Sequence, residues 1–377
     1  MIYLYSPLKM YINREISWNI EKYLKRHKII ILYWARQVGK TSLVKHIMEW
    51  KNYLYINWDE FDIQQKFKNP NSIKIRNILW SDKYIVIDEA QRITDIWIVL
   101  KIIYDNFPDK FIIATWSSSF ELANKINEPL TGRKIEFNLY PLSISELKKI
   151  YSNIDIVRML DQWMISWLYP NIVLNYDETE LRNMINSYVY KDILSFNGIK
   201  KSDEIIKLLQ SLALQIGNEV SYNELWIQCW LSSKTVEQYI NILEQAFIVF
   251  RLPTYTKNPR TGIKKLKKIY FWDLWIRNII INNLNPLYIR DDTWALRENF
   301  VISEIIKNNN NKWIFYNYYF WRDGNKELDL ITEKNWELKW YEIKYKKHEM
   351  KHFSYIKDLL WLSSLSIVNK DNILQYI

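Results

Sequence analysis

The stretch Val38-Gly39-Lys40-Thr41-Ser42 puts a glycine, a lysine and a hydroxyl in succession directly after an apolar run. Residues of these types in this order make a phosphate-binding loop. Its backbone N–H groups surround a β-phosphate, the lysine reaches the β and γ oxygens, and the hydroxyl sits on Mg²⁺. Trp34, Arg36, Gln37, Val38, Gly39, Lys40, Thr41 and Ser42 are therefore the expected nucleotide contacts, with ATP and Mg²⁺ as ligands. Further along, Tyr84-Ile85-Val86-Ile87 runs into Asp88-Glu89. A buried strand ending in two acids supplies Asp88 to hold Mg²⁺ together with Thr41, and Glu89 to polarise an attacking water. Ser117 follows the apolar run 111–115, placed either to touch the γ-phosphate or water or to cap the next helix. Arg133 is a candidate for the charge-neutralising arginine of phosphoryl transfer; a surface role, or an arginine from a neighbouring subunit, are the alternatives.

A second set of chemistry-bearing residues lies near the C-terminus. Asp329 stands in Glu327-Leu328-Asp329, and Glu342-Ile343-Lys344 follows on the next apolar run. Period-two alternation puts Glu342 and Lys344 on one strand face, where Asp329 of a neighbouring strand joins them. Two carboxylates hold a divalent metal while a lysine steadies developing phosphate charge, with Glu298 on the preceding helix as a further ligand. A cross-strand ion pair is the plainer explanation of Glu-x-Lys on a strand.

The elements that position these groups follow from periodicity. Helical spacing over 13–27 leads into a strand at 29–33, and further strands are expected at 53–58, at 84–87 and at 111–115. Strands alternating with helices, with the chemistry at strand C-termini, define an α/β fold of the doubly wound P-loop NTPase type. Residues 156–165 and 181–194 read as helices. Three helices over 203–250, two strands at 247–252 and 268–271, and a basic segment between them read as a winged helix-turn-helix. Ser233, Lys234 and Gln238 are its exposed helix positions. Lys257, Arg260, Lys264, Lys265, Lys267 and Lys268 are available to the phosphates of double-stranded DNA, although protein contacts or a lid over the ATPase are also open to this segment. The last segment is a helix at 295–308 followed by strands at 313–319, 327–331 and 339–345.

One anomaly sits inside the phosphate loop. The pattern GxxxxGK[ST] needs glycine at position 34, which is tryptophan here, and the chain of 377 residues holds 6 Gly against 19 Trp. Trp34, Trp116, Trp167, Trp294 and Trp336 all stand where a turn or loop favours glycine. The expectation is a gene in which UGA encodes glycine, translated with UGA as tryptophan; a truly Trp-rich, Gly-poor protein is the alternative. Trp321 reads as a true tryptophan within a strand, while Trp272 and Trp313 fit either residue.

A net charge of +10 favours an acidic partner, nucleic acid first. A single cysteine excludes an intramolecular disulfide, and four histidines show no zinc spacing. No window is long and apolar enough to span a membrane, and the first residues lack signal-peptide features, so a cytoplasmic protein is expected.

The combination ARQVGKTSL, IVIDEAQ, SSSFEL, LTGRKIEFNLYPLSISEL, TYTKNPR, RENF and WRDGNKELDL resembles the bacterial and archaeal AAA-type ATPases that carry a C-terminal domain of unknown function. The resemblance covers nearly the whole chain and implies ATP binding, a winged-helix segment and a nuclease-like C-terminal fold of the PD-(D/E)xK type. The expected organisation is an ATPase domain at 1–150, a helical lid or linker at 151–200, a winged helix at 201–272 and a nuclease-like domain at 273–377. A nuclease-like fold also serves as a binding module without cleavage, and an ATP-dependent protein-binding switch with a silent C-terminal domain is the alternative function.

Overall fold

A computed structural model of the chain describes residues 11–34, 37–58, 60–67, 70–79, 82–93, 95–116, 130–166, 168–170, 173, 179, 202–258, 266–324, 326–344 and 364–377. The chain divides into two compact units, Met1–Leu142 with Glu146–Ser152, and Ser143–Ser145 with Asn153–Ile377.

In the first unit a helix α1 (Ser17–Lys25) precedes β1 (Ile29–Trp34), which is buried along its whole length. The chain continues through α2 (Lys40–Ile47), β2 (Tyr53–Asn57), α3 (Phe61–Lys66), α4 (Ser72–Leu79), β3 (Tyr84–Asp88), α5 (Ile96–Asn106), β4 (Phe111–Trp116) and β5 (Lys134–Leu139). The sheet order is β2-β3-β4-β1-β5, and every pairing is parallel. Parallel strands covered on both faces read as continuous apolar runs, so β1, β3 and β4 are plain in the sequence. The fifth strand is not among the expected elements. It is a sheet edge that buries only Phe137 and Leu139, and its residues Lys134-Ile135-Glu136-Phe137-Asn138-Leu139 look like loop. Because the strands run the same way, the C-terminal ends of β1, β3 and β4 share one edge of the sheet, where ligands bind in open α/β sheets.

The second unit opens on α6 (Asn153–Ser166). The expected helix at 181–194 and the preceding Trp167 lie outside the described residues. Next come α7 (Ser202–Leu214), β6 (Glu219–Val220), α8 (Tyr222–Cys229), α9 (Ser233–Gln245), β7 (Val249–Pro253) and β8 (Lys267–Phe271). The three strands form an antiparallel sheet in the order β6-β8-β7. Ser232 caps α9 by accepting the Thr235 N–H at 3.1 Å, and Val236, Tyr239, Ile240 and Leu243 turn inward as their helical spacing predicts.

After α10 (Leu274–Ile280), the helix α11 (Thr293–Asn311) leads to β9 (Asn317–Asp323), β10 (Lys326–Lys334), β11 (Glu337–Ile343) and β12 (Ser364–Val368). Their order is β12-β11-β10-β9, with β12 parallel to β11 and the other pairings antiparallel. The strand expected from 313 starts at Asn317 instead, because α11 runs to Asn311 and Trp313 then turns the chain at φ 60°. Trp321 packs with Leu328, Ile331, Leu338 and Trp340, as a true core tryptophan does.

Four tryptophans among the described residues have left-handed backbones: Trp50 (64°), Trp230 (57°), Trp313 (60°) and Trp336 (69°). Trp50, Trp230 and Trp336 are 97%, 86% and 93% exposed, so no packing offsets the strain of that conformation. Trp230 and Trp313 follow helix ends closed by the wrap-around bonds Leu231 N–H to Trp226 O (3.3 Å) and Ile314 N–H to Asn309 O (2.8 Å). That closure puts a left-handed residue, most often glycine, just past the helix.

Candidate nucleotide-binding site

The loop between β1 and α2 is shaped by Gln37 (φ 60°) and Gly39 (φ 87°), both left-handed, with Val38 between them buried and not left-handed. Such alternation turns successive N–H groups toward one point and makes an anion nest. Gly39 opens α2, its carbonyl accepting the Leu43 N–H at 2.9 Å. From outside the motif, the buried Arg14 clamps the loop. Its guanidinium donates to Val38 O (2.7 Å), Tyr140 O (2.7 Å) and Glu146 Oε1 (2.9 Å).

Lys40 Nζ lies 2.5 Å from Asp88 Oδ1 and 3.3 Å from Glu89 Oε1. Asp88 also accepts the Thr115 hydroxyl at Oδ1 and the Tyr55 hydroxyl at Oδ2, each at 2.5 Å. Burial alone pushes the Asp88 carboxyl up, but the bonds from Lys40, Thr115 and Tyr55 outweigh it and hold the group below the usual range. The Tyr55 phenol moves the opposite way, raised by burial and by the Asp88 charge. Glu89 sits at φ 53°, a strained left-handed position of the kind that collects at functional sites. Its N–H donates to Thr115 Oγ1 (3.3 Å), and Gln91 Nε2 donates to its carboxylate at 2.6 Å. One threonine hydroxyl thus braces the backbone of one acid and the side chain of the other.

The expected residues Gly39, Lys40, Asp88 and Glu89 are therefore brought together, with the exposed Thr41 and Ser42 in the first turn of α2. Arg36 and Ser117 lie outside the described residues. Arg133 is not brought to the site. It starts the edge strand, its carbonyl accepting the Ile29 N–H at the beginning of β1, while the loop leaves the end of β1 about 20 Å away at about 3.3 Å per residue. Its guanidinium is occupied by Asp105 at 2.9 and 3.3 Å. Arg14, Tyr55 and Thr115 carry no motif signal: Tyr55 and Thr115 reach the site through strand register, such as the Asn57–Asp88 pairing of β2 with β3, and Arg14 through its long-range clamp on the loop.

The donor set fits a magnesium nucleotide: a nest, a lysine, an exposed hydroxyl at a helix start and an ionised carboxylate at a strand end. Trp34 does not fit. It is buried, and its ring centroid lies 4.1 Å from Lys40 Nζ, in the space that phosphate oxygens take when they contact that lysine.

The C-terminal residues Glu298, Asp329, Glu342 and Lys344 are also brought into one region. Asp329 Oδ2 accepts the Ile343 N–H at 2.7 Å, and Lys344 pairs with Glu342 at 2.6 Å. Burial, then the charges of Glu298 and Glu342, hold the Asp329 carboxyl well above the usual range. Burial raises Glu342 as well, with Glu298 and Glu327 adding to it against the opposing pull of Lys344. Among the described residues no three such side chains converge closely enough to hold a metal ion. Lys268, expected on the basic wing, is instead 2% exposed and paired with Glu298 and Glu327. Adjacent residues of a strand face opposite ways, so Lys267 faces outward by Tyr222 while Lys268 faces in. Arg260, Lys264 and Lys265 lie outside the described residues, and Lys234, Gln238 and Lys257 are exposed as expected.

No helix among the described residues is long and apolar enough to cross a membrane. Residues 26–148 match a family model described as an AAA domain, and residues 157–286 and 295–376 match two domains of unknown function, DUF8612 and DUF4143. The chain is 24% identical over 362 residues to an uncharacterized protein of Haemophilus influenzae, covering 88% of this chain and 86% of that one. It is 25% identical over 309 residues to one of Methanocaldococcus jannaschii, covering 69% and 64%. Among solved structures it is similar to a Walker-type ATPase of Pyrococcus abyssi, at 15% identity and a TM-score of 0.49, over 74% of this chain and 99% of that one. It is also similar to the RuvB Holliday junction branch migration motor of Thermotoga maritima, at 19% identity and a TM-score of 0.32, over 69% and 98%. With the loop, the acidic strand end and the parallel sheet in place, residues 26–148 match an AAA domain and resemble a P-loop NTPase domain in fold, and the chain continues into residues that match domains of unknown function.

Proposed function

We propose that the protein is a Mg²⁺-dependent ATPase with glycine at position 34, coupled to duplex DNA through a winged helix and a nuclease-like C-terminal domain. The observation that carries the ATPase is the convergence of Lys40, Asp88, Glu89 and Thr115 at one sheet edge. Lys40 and the loop N–H groups stabilise phosphate charge, Asp88 and Thr41 orient the metal, and Glu89 accepts the proton of the attacking water. When bound, Mg²⁺ neutralises the β and γ oxygens.

Glycine at 34 is supported by the ring of Trp34 over Lys40 and by the four left-handed tryptophans, each a position that glycine occupies without strain. Peptides of the protein isolated from its native cells are expected to read glycine at 34, 50, 230, 313 and 336 by mass spectrometry. Tryptophan at position 34 in those peptides removes the recoding.

The DNA coupling is supported by the order of α7, β6, α8, α9, β7 and β8, by exposed Lys234 and Gln238 on α9, and by the net charge of +10. Duplex DNA binding measured by fluorescence anisotropy is expected to weaken by at least about tenfold between about 50 and 200 mM salt, as released counterions require. Absence of binding at the lower salt leaves the protein-binding switch. One observation favours that second reading: lysines already neutralise part of the C-terminal carboxylate cluster.

A further inference from the structure

Arg14 precedes α1 and stands far in sequence from the nucleotide loop, yet it is 3% exposed and its side chain reaches three other stretches of the first unit. Nη1 donates to Val38 O and Nη2 to Tyr140 O, each at 2.7 Å, and Nε donates to Glu146 Oε1 at 2.9 Å. The Arg14 backbone is held as well, its carbonyl accepting the Ser17 N–H (3.2 Å) and the Ser17 hydroxyl (2.6 Å) where α1 begins. Glu146 is wholly buried, and the same Oε1 accepts the Glu15 N–H at 3.0 Å. A buried ion pair contributes little to stability beyond an apolar pair of the same volume. What this one adds is direction, because a planar guanidinium presents its N–H groups in a fixed fork.

One tine of the fork ends on the peptide that joins Val38 to Gly39. In a planar trans peptide the carbonyl and the following N–H point opposite ways, so holding Val38 O on the Arg14 side turns the Gly39 N–H toward the other, into the nest. Gln37, with φ 60°, is strained for a residue with a side chain, and such a backbone persists only where its surroundings over-determine it. The grip on the adjacent Val38 supplies that constraint. We infer that Arg14 is a positioning residue for phosphate: it aims the Gly39 N–H at the β-phosphate by fixing the Val38 carbonyl, and Glu146 aims Arg14 in turn. The inference rests on the ATPase reading for its ligand, a nucleoside di- or triphosphate. A hydrogen bond to the β-phosphate is made alike in the ground and transition states, so its loss is felt in KM and spares kcat.

The test is isothermal titration with ADP, beside ATP turnover, of variants carried on the Trp34→Gly chain. Arg14→Lys keeps a positive charge next to Glu146 and gives up the fork. It is expected to bind ADP at least about tenfold more weakly, the scale of one hydrogen bond to a charged group. Its KM for ATP rises to match while kcat stays within about threefold. A folded Arg14→Lys chain that binds ADP as its parent does overturns the inference, and so does a fall in kcat as large as the fall in kcat/KM, which a general loosening of the domain produces. Glu146→Asp reaches the same pair from the other side, keeping the charge and drawing the carboxylate back by one methylene. ADP binding is expected to weaken there by at least about threefold, as the Val38 contact lengthens. Unchanged binding in Glu146→Asp counts against the inference, and decides it if Arg14→Lys does not fold. A Trp34→Gly chain that binds no ADP removes the ATPase reading and the inference together, whereas ADP bound through Arg14 without any turnover removes the ATPase alone.

Discussion

Replacing Trp34 by glycine is expected to raise the affinity of the chain for ATP by about 30-fold or more. The indole ring lies 4.1 Å from the Lys40 ammonium, a cation–π contact that phosphate must break. A desolvated contact of this kind contributes about 2 kcal/mol, which is about 30-fold in binding. Steric exclusion adds to that figure, because the buried ring also fills space that a loop backbone leaves open for the nucleotide. Isothermal titration with a non-hydrolysable ATP analogue measures both chains directly. An affinity unchanged by the substitution means the ring does not stand in the phosphate path.

Glu89→Gln, made in the Trp34→Gly background, is expected to bind ATP within about threefold of its parent while turnover falls by about 10²–10⁴-fold, the usual contribution of a general base. Glutamine keeps the size of the side chain and an oxygen for the Gln91 contact, and loses the capacity to take a proton together with the charge that meets Lys40. Asp88 remains to orient the metal, held ionised by Lys40, Thr115 and Tyr55. Equal turnover in the two chains removes Glu89 from the proton-accepting role and points to a base elsewhere on the sheet edge. Equal loss of binding and turnover indicates that Glu89 acts by holding Lys40, which it meets at 3.3 Å.

The part of the site legible in the sequence is the part encoded by neighbours along the chain. Gly39-Lys40-Thr41 and Asp88-Glu89 announce themselves because phosphate chemistry needs them in succession. Thr115, Tyr55 and Arg14 reach the site through parallel register and through a long-range clamp, neither of which leaves a local pattern. Arg133 illustrates the opposite error: its sequence context suits phosphoryl transfer, yet strand direction puts it at the far end of β1. Lys268 reads as one of a run of basic residues, and only the alternation of β8 distinguishes it from the outward Lys267. The edge strand β5 and the final strand β12 were hidden for a related reason, since strands only partly buried lack a continuous apolar run. Of the tryptophans suspected from the sequence, Trp336 has the left-handed backbone, while Trp34 and Trp116 end buried strands and Trp294 lies in α11. Trp50, Trp230 and Trp313 join Trp336 because turn and helix-end geometry is not visible in residue type alone.

The most direct measurement is Mg²⁺-dependent ATP hydrolysis by the Trp34→Gly chain, read beside the same chain carrying Lys40→Ala. The account predicts turnover that requires Mg²⁺ and vanishes with Lys40→Ala. A folded Trp34→Gly chain that hydrolyses no ATP, or hydrolysis that survives Lys40→Ala, contradicts it.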